Sequence, residues 1–251
     1  MNNQLFNAVR DNNLLIVQQL VLNGADVNCR DGEGSTPLHY AKSVEIVQFL
    51  VLNGADVNCQ NIFDHTPLHY AESIEIAQLL IANGADVNSR DSHNDTPLHF
   101  AKSLEIAQFL VLNGVDVNCR NDGDVTPLHL AKSIEIVKFL VLNGADVNCR
   151  DIYGNVPLYY VNSLEIAQFL VLNGADVNCQ NKDENTPLHR VRSVEIAQLF
   201  LENGANMHIK NKKGKSAYDY VIQSNNNELI ELFEQYNAIS NGLDIKEPCV
   251  E

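Results

Sequence analysis

The residues best suited to chemistry recur at fixed intervals. Histidine stands at 39, 69, 99, 129 and 189, in steps of 30 with one position skipped. Cysteine stands at 29, 59, 119, 149 and 179 in the same register, Ser89 and Ile209 fill that place elsewhere, and a sixth cysteine is residue 249. Imidazoles and thiols are common zinc ligands, bases and nucleophiles. All of that chemistry needs several groups to converge on one point. Equivalent residues in stacked helical units lie about 8–10 Å apart, whereas a disulfide needs Cα atoms within roughly 7 Å. The spacing therefore argues against disulfides and against a metal ladder. It predicts small, partly buried thiols in a cytoplasmic or other reducing compartment. No nucleophile, base and orienter stand together at a recognisable spacing, so neither an active site nor a cofactor is expected. His65 and His93 fall in turns and read as surface residues.

The elements that carry these residues come from one repeated phrase. Thr36 to Asn58 reads T-P-L-H-Y-A-K-S-V-E-I-V-Q-F-L-V-L-N-G-A-D-V-N, and the phrase restarts at Thr66, Thr96, Thr126, Val156 and Thr186. A fixed period of this size means a stacked array in which each unit buries its face on the next. Thr36 is a good N-cap, and Pro37 occupies the first helical position, where proline is tolerated. Ser43 caps a second helix, with Glu45 in its first turn, where the helix dipole favours an anion. Ile46, Val47, Phe49 and Leu50 form its apolar stripe. Gly54 supplies the left-handed residue that ends it. Ala55 to Asn61 read as an extended turn built on Asp and Asn.

The T-P-L-H-x-A wording resembles the ankyrin repeat. The resemblance implies an all-α solenoid of paired antiparallel helices with β-hairpin-like fingers. It also implies a structural histidine, hydrogen-bonded to the Thr three residues earlier and tethering adjacent repeats. The usual unit is about 33 residues, and the inner units here lack three. The loss falls between the helices, where Ala41-Lys42-Ser43 runs straight into Val44, and predicts a first helix shortened by roughly a turn. Leu5 to Leu20 and Ser216 to Phe233 keep the longer spacing. The expected array spans 1–238: an N-terminal cap at 1–30, six 30-residue repeats at 31–210, and a C-terminal cap at 211–238. A loose tail is expected at 239–251. Repeat 151–180 stands apart, because Val156 and Tyr159 replace Thr and His together.

Net charge is −15 over 251 residues. A nucleic-acid binder presents a basic stripe, so no nucleic acid is expected as a partner. One basic cluster, Lys210, Lys212, Lys213 and Lys215, reads as a solvated cap or as a local contact for an acidic partner. The polar start, Met1-Asn2-Asn3-Gln4, does not read as a secretory leader. No apolar run reaches membrane-spanning length. A monomer is expected.

A partner would meet the positions that differ between repeats. These are the fingertips, the residue after each His (Tyr40, Tyr70, Phe100, Leu130, Tyr160, Arg190) and the residue two further on (Lys42, Glu72, Lys102, Lys132, Asn162, Arg192). Resemblance to ankyrins places fingertips and first helices on a concave, protein-binding groove. Ile62, Phe63, Ile152 and Tyr153 are large apolar fingertips and, with Tyr40, Tyr70, Phe100 and Tyr160, are the expected contacts. Aromatic side chains are favoured interface anchors, although a shortened first helix also allows these rings to pack between repeats. Acidic Asp64, Asp95, Asp122 and Asp124 favour a partner with a basic rim. Leu22, Leu52, Leu112, Leu142 and Leu172 form a ladder at the end of the second helix. Partial burial is expected for it, through re-tilting of the helices. The function implied is a protein-interaction scaffold. The alternative is an accessory subunit of an enzyme on another chain, or, on analogy alone, a host-directed effector of an intracellular bacterium.

Overall fold

The structure, a computed structural model, describes residues 1–240. Cys249 and most of the expected tail lie outside the described residues. The chain divides into two compact bodies, Met1–Gly144 and Ala145–Glu251. Both are built from the same helix pair. The described residues form helices and turns, with one isolated bridge between Lys210 and Ser216 and no strand.

In the N-terminal body the first helix of each inner repeat is a single turn of four residues: Pro37–Tyr40, Pro67–Tyr70, Pro97–Phe100 and Pro127–Leu130. Proline starts each turn, where its missing N–H has no partner to lose. The backbone then leaves the helix at once, Ala41 having ψ 122°. Ser43 accepts the Ile46 N–H at 3.3 Å and opens the second helix, Val44–Leu52. Ile74–Ala82, Leu104–Leu112 and Ile134–Leu142 repeat it at the same nine-residue length. Each second helix buries one triad, such as Ile46, Val47 and Leu50. Such side chains stabilise by about 1.5–3 kcal/mol each when taken from water. The opening helix, Asn2–Arg10, is longer, as its undeleted spacing predicts. The C-terminal body repeats the pattern in Pro157–Tyr160, Leu164–Leu172, Pro187–His189 and Val194–Glu202. It closes with Ala217–Ile222 and Asn227–Ser240. The last helix takes in Ile239 and Ser240, beyond the expected boundary at 238.

The fingers are turns, not the strand pairs expected of a hairpin. Asn61 accounts for this. Its Oδ1 accepts the N–H groups of Phe63 and His65 at 3.0 and 3.1 Å, while its own N–H donates to His65 O. The side chain closes the loop within five residues, and among the described residues pairing extends past the loop only in the Lys210–Ser216 bridge. The fourth finger residue is left-handed in every repeat: Asp64 (φ 58°), Asn94 (63°), Asp124 (54°) and Glu184 (63°), with glycine at 34, 154 and 214. At Gly154 a Cβ would also lie 3.1 Å from the Lys182 backbone nitrogen.

The repeated histidine joins the layers. Nδ1 of His39 accepts the Thr36 N–H at 3.0 Å, and Nε2 faces His65 O in the next repeat at 3.0 Å. An N–H can only donate and a carbonyl can only accept, so the ring is neutral with its proton on Nε2. His69 with Asp95 O, His99 with Val125 O and His189 with Lys215 O make the same tether. Burial lowers the pKa of His39, His99 and His189 and takes His69 from 6.5 to about 4. The cysteine position backs this seam. Cys59 Sγ lies 3.2 Å from Thr36 Oγ1 and Cys119 Sγ 3.4 Å from Thr96 Oγ1, each within its own repeat, and Ser89 Oγ makes the same contact with Thr66 at 3.2 Å. The five cysteines among the described residues are thiols and are buried, more fully than expected. Burial pushes the Cys179 thiol up to about 11.

These rings set a pH dependence. The unfolded chain binds protons near pH 6.5 and the buried rings do not, so stability is complete above 6.5 and falls as pH drops toward 4. At about 1.4 kcal/mol per pH unit, His69 alone contributes about 3 kcal/mol of that loss. Urea unfolding between pH 7.5 and 4 should show it, and a flat profile over that window would refute it. Repeat 151–180 lacks the seam: Val156 is buried in place of Thr, and its first turn has no capping box. Val156→Thr with Tyr159→His should raise stability by about 1 kcal/mol, the contribution of a restored cap, read from the urea midpoint. No gain would mean that Tyr159 already compensates.

Candidate interaction surface

The short first turn decides what each repeat shows to solvent. His39 is turned inward by its two hydrogen bonds, so the residue after it is directed outward. Tyr70, Phe100 and Leu130 in the N-terminal body and Tyr160 in the C-terminal body are 38–46% exposed. Tyr40 is less so. Its ring packs edge-on against Phe6 at 6.1 Å and under the Arg10 guanidinium at 4.1 Å, and its hydroxyl donates to Asp31 at 2.7 Å. The rings therefore do two jobs. One edge of Tyr70 meets His39 at 6.0 Å, one edge of Phe100 meets His69 at 5.7 Å, and the remainder faces out.

The fingertips are bound to one another. Ile62 N donates to Glu33 O, Ser92 N to Phe63 O and Asp122 N to His93 O in the N-terminal body; Lys182 N donates to Tyr153 O in the C-terminal body. Ile62 and Tyr153 remain 63% and 64% exposed, while Phe63 and Ile152 are more than half covered. Local packing thus explains part of the apolar character at 63 and 152, and positions 62 and 153 are the freer ones. Below the fingertips, Glu72 bridges Lys102 at 3.1 Å and Lys42 at 3.8 Å.

Two readings from the sequence change. His65 is not merely a surface residue. Its Nδ1 is hydrogen-bonded to the Tyr70 hydroxyl at 2.7 Å, and its Nε2 donates to Asp91 Oδ2 at 2.9 Å. Asp91 is buried, which would raise its pKa, but the N–H groups of His93 and Asp95 together with His65 hold it below the usual carboxylate range. A hydroxyl, an imidazole and a carboxylate therefore do stand in line here. The chain fixes the Tyr70 ring on the exposed row. The signal for it was the 26-residue offset between His65 and Asp91, the same offset that the repeated histidine uses. The leucine ladder is the second change. Leu22, Leu52, Leu112 and Leu142 in the N-terminal body and Leu172 in the C-terminal body are 77–84% exposed, not partly buried. The second helices bury the same triad in every inner repeat, so the lost residues do not re-tilt them, and Leu52 stays on the side of Glu45 and Gln48.

Among the described residues no three of His, Cys, Asp and Glu converge to hold a metal ion, and no helix is long and apolar enough to cross a membrane. Capped helix pairs with an outward row of variable side chains define a repeat-type interaction module. The family model for ankyrin repeats, in three copies, matches residues 5–91, 41–121, 72–151 and 158–244, and the chain belongs to that family. None of the curated proteins matches it. Ankyrin repeats serve in general as protein-interaction modules.

If the exposed positions are free of structural duty, Ile62→Ala, Tyr153→Ala and Leu52→Gln should each change unfolding free energy by less than about 0.5 kcal/mol. A loss above about 2 kcal/mol at any of them, in urea unfolding, would mark that residue as packed.

Proposed function

We propose that the chain is a protein-binding scaffold whose contacts come from fingertips and first turns: Ile62, Phe63, Tyr40, Tyr70 and Phe100 in the N-terminal body, Ile152, Tyr153 and Tyr160 in the C-terminal body. The observation that carries this reading is the row after the histidine. At Tyr40, Tyr70 and Phe100 the backbone follows a histidine held by a two-sided hydrogen bond, the row is largely aromatic, and Tyr70, Phe100, Leu130 and Tyr160 stay more than a third exposed while the neighbouring Leu and Pro are buried. Rigidly mounted aromatic rings with open faces are what interfaces use as anchors, because little conformational entropy is lost on binding. Exposed Asp64, Asp122 and Asp124 favour a partner with a basic rim and speed its approach at low salt.

The test is site-specific photo-crosslinking in cells that make the protein. A photoreactive side chain at 62, 70 or 153 should give a crosslinked partner, and one at 52, on the leucine ladder, should not. Crosslinks from 52 alone would move the interface to the ladder and overturn the proposal.

A further inference from the structure

The C-terminal body holds an open groove of about 850 Å³ between the first turns of repeats 151–180 and 181–210. Tyr159, Tyr160, Asn162, Arg190, Arg192 and Tyr220 line it. The size is that of a ligand-binding cleft. Its charge is unusual for this molecule. Arg190 stands where earlier repeats carry Tyr, Phe or Leu, and Arg192 where they carry Lys, Glu or Asn.

Elsewhere the arginines are occupied. Arg10 pairs with Asp31 at 3.3 Å and Arg120 with Asp124 at 3.7 Å. Arg30, Arg90 and Arg150 each donate to two backbone carbonyls across adjacent fingers. Among the described residues no carboxylate or carbonyl takes Arg190 or Arg192. The Arg190 guanidinium lies 5.5 and 5.6 Å from the rings of Tyr159 and Tyr160, which hold it at the groove without neutralising it. Of the acids nearby, exposed Asp183 acts on Tyr159 but forms no ion pair with either arginine, and two others are already committed. Asp151 accepts from Tyr160, Asn155 and two backbone N–H groups, and Asp219 accepts from the hydroxyl and the N–H of Ser216. His189, also in the wall, is kept neutral by burial. The next finger, joined through the His189–Lys215 O bond, carries Lys210, Lys212, Lys213 and Lys215.

We propose that this groove binds an acidic peptide segment of a partner protein, its carboxylates paired with Arg190 and Arg192 and its apolar side chains laid against the tyrosines. The proposal rests on the scaffold reading and adds the partner's chemistry at this body. Guanidinium forks match carboxylates in two-point geometry, and Arg beside Tyr is the composition of interface hot spots. The net charge of −15 repels an acidic segment from most of the surface, so a local cationic groove also selects where it docks. The same net charge disfavours a nucleic acid, which needs many phosphate contacts rather than two.

Fluorescence anisotropy on the full chain tests this with a labelled peptide of alternating glutamate and leucine, its glutamine counterpart, and labelled oligothymidylate. The glutamate peptide should bind at least about tenfold tighter than the glutamine one, a difference of about 1.4 kcal/mol. Arg190→Tyr with Arg192→Asn installs the residues found at 160 and 162. It should weaken that binding at least about tenfold with the melting temperature unchanged. Arg192→Asn alone, at an exposed position, should weaken it severalfold even if the double variant folds poorly. Equal affinity for both peptides, no binding of either, full affinity in the variants, or tighter binding of oligothymidylate would each overturn the proposal. Crosslinks from residues 62 and 70 do not depend on either arginine, so failure here and failure of the scaffold reading are separate results.

Discussion

In the repeats of His39, His69, His99 and His189, a single imidazole holds each layer to the next. The first turn of an inner repeat has four residues, too few to be stable as an isolated helix. It survives because His39 accepts the Thr36 N–H on one side of its ring and donates to His65 O in the next layer on the other. The same ring therefore closes the turn and couples it to its neighbour. It does so only while neutral, since a proton on Nδ1 would remove its acceptor. Burial enforces the neutral form. The cysteine or serine behind the Thr completes a dry, satisfied seam. Among the described residues no buried side-chain nitrogen or oxygen lacks a partner.

That constraint also explains how the surface is divided. Once the histidine faces inward and the Asx residue closes the finger, the residue after His and the fingertip are the positions left to vary. Some of what they carry is still structural. The Lys42–Glu72–Lys102 bridge and the Tyr70–His65–Asp91 chain lie on the exposed side and stiffen it. Two sets of side chains stand out against that background: Ile62 and Tyr153, exposed at fingertips, and Arg190 and Arg192, without an ion pair in the C-terminal groove.

Much of this was legible in the sequence because it is local or strictly periodic. The Thr-Pro start, the Ser cap and the Gly54 stop each depend on residues within a few positions. The histidine's role as a tether was implied by the resemblance to ankyrin repeats, while its recurrence at one place argued against a metal site. The parts that were not legible depend on geometry between repeats. His65 is the one histidine at its place in the repeat, where Ser35, Asp95, Asn155 and Asn185 also bond to the residue 26 further on, and because the side chains change type from layer to layer the link to Asp91 left only an offset as a trace. The ladder was expected to be partly covered because the effect of a three-residue loss on helix tilt is a tertiary property. The structure keeps the first helix to one turn followed by an extended Ala41 and leaves Leu52 outside. The fingers were expected as hairpins on resemblance; each is a turn closed by an Asn or Asp side chain, with pairing beyond it, among the described residues, only between Lys210 and Ser216.

The tether between layers depends on the protonation state of the repeated histidine, and nitrogen-15 NMR of the imidazole rings reads that state directly. At neutral pH, His39, His69, His99 and His189 should each show a protonated Nε2 and an unprotonated, hydrogen-bonded Nδ1, with slow exchange of the Nε2 proton. His93, at a fingertip, should show averaged tautomers. Averaged or Nδ1-protonated signals from the four would contradict the tether and, with it, the fixed row of side chains on which the proposed binding surface depends.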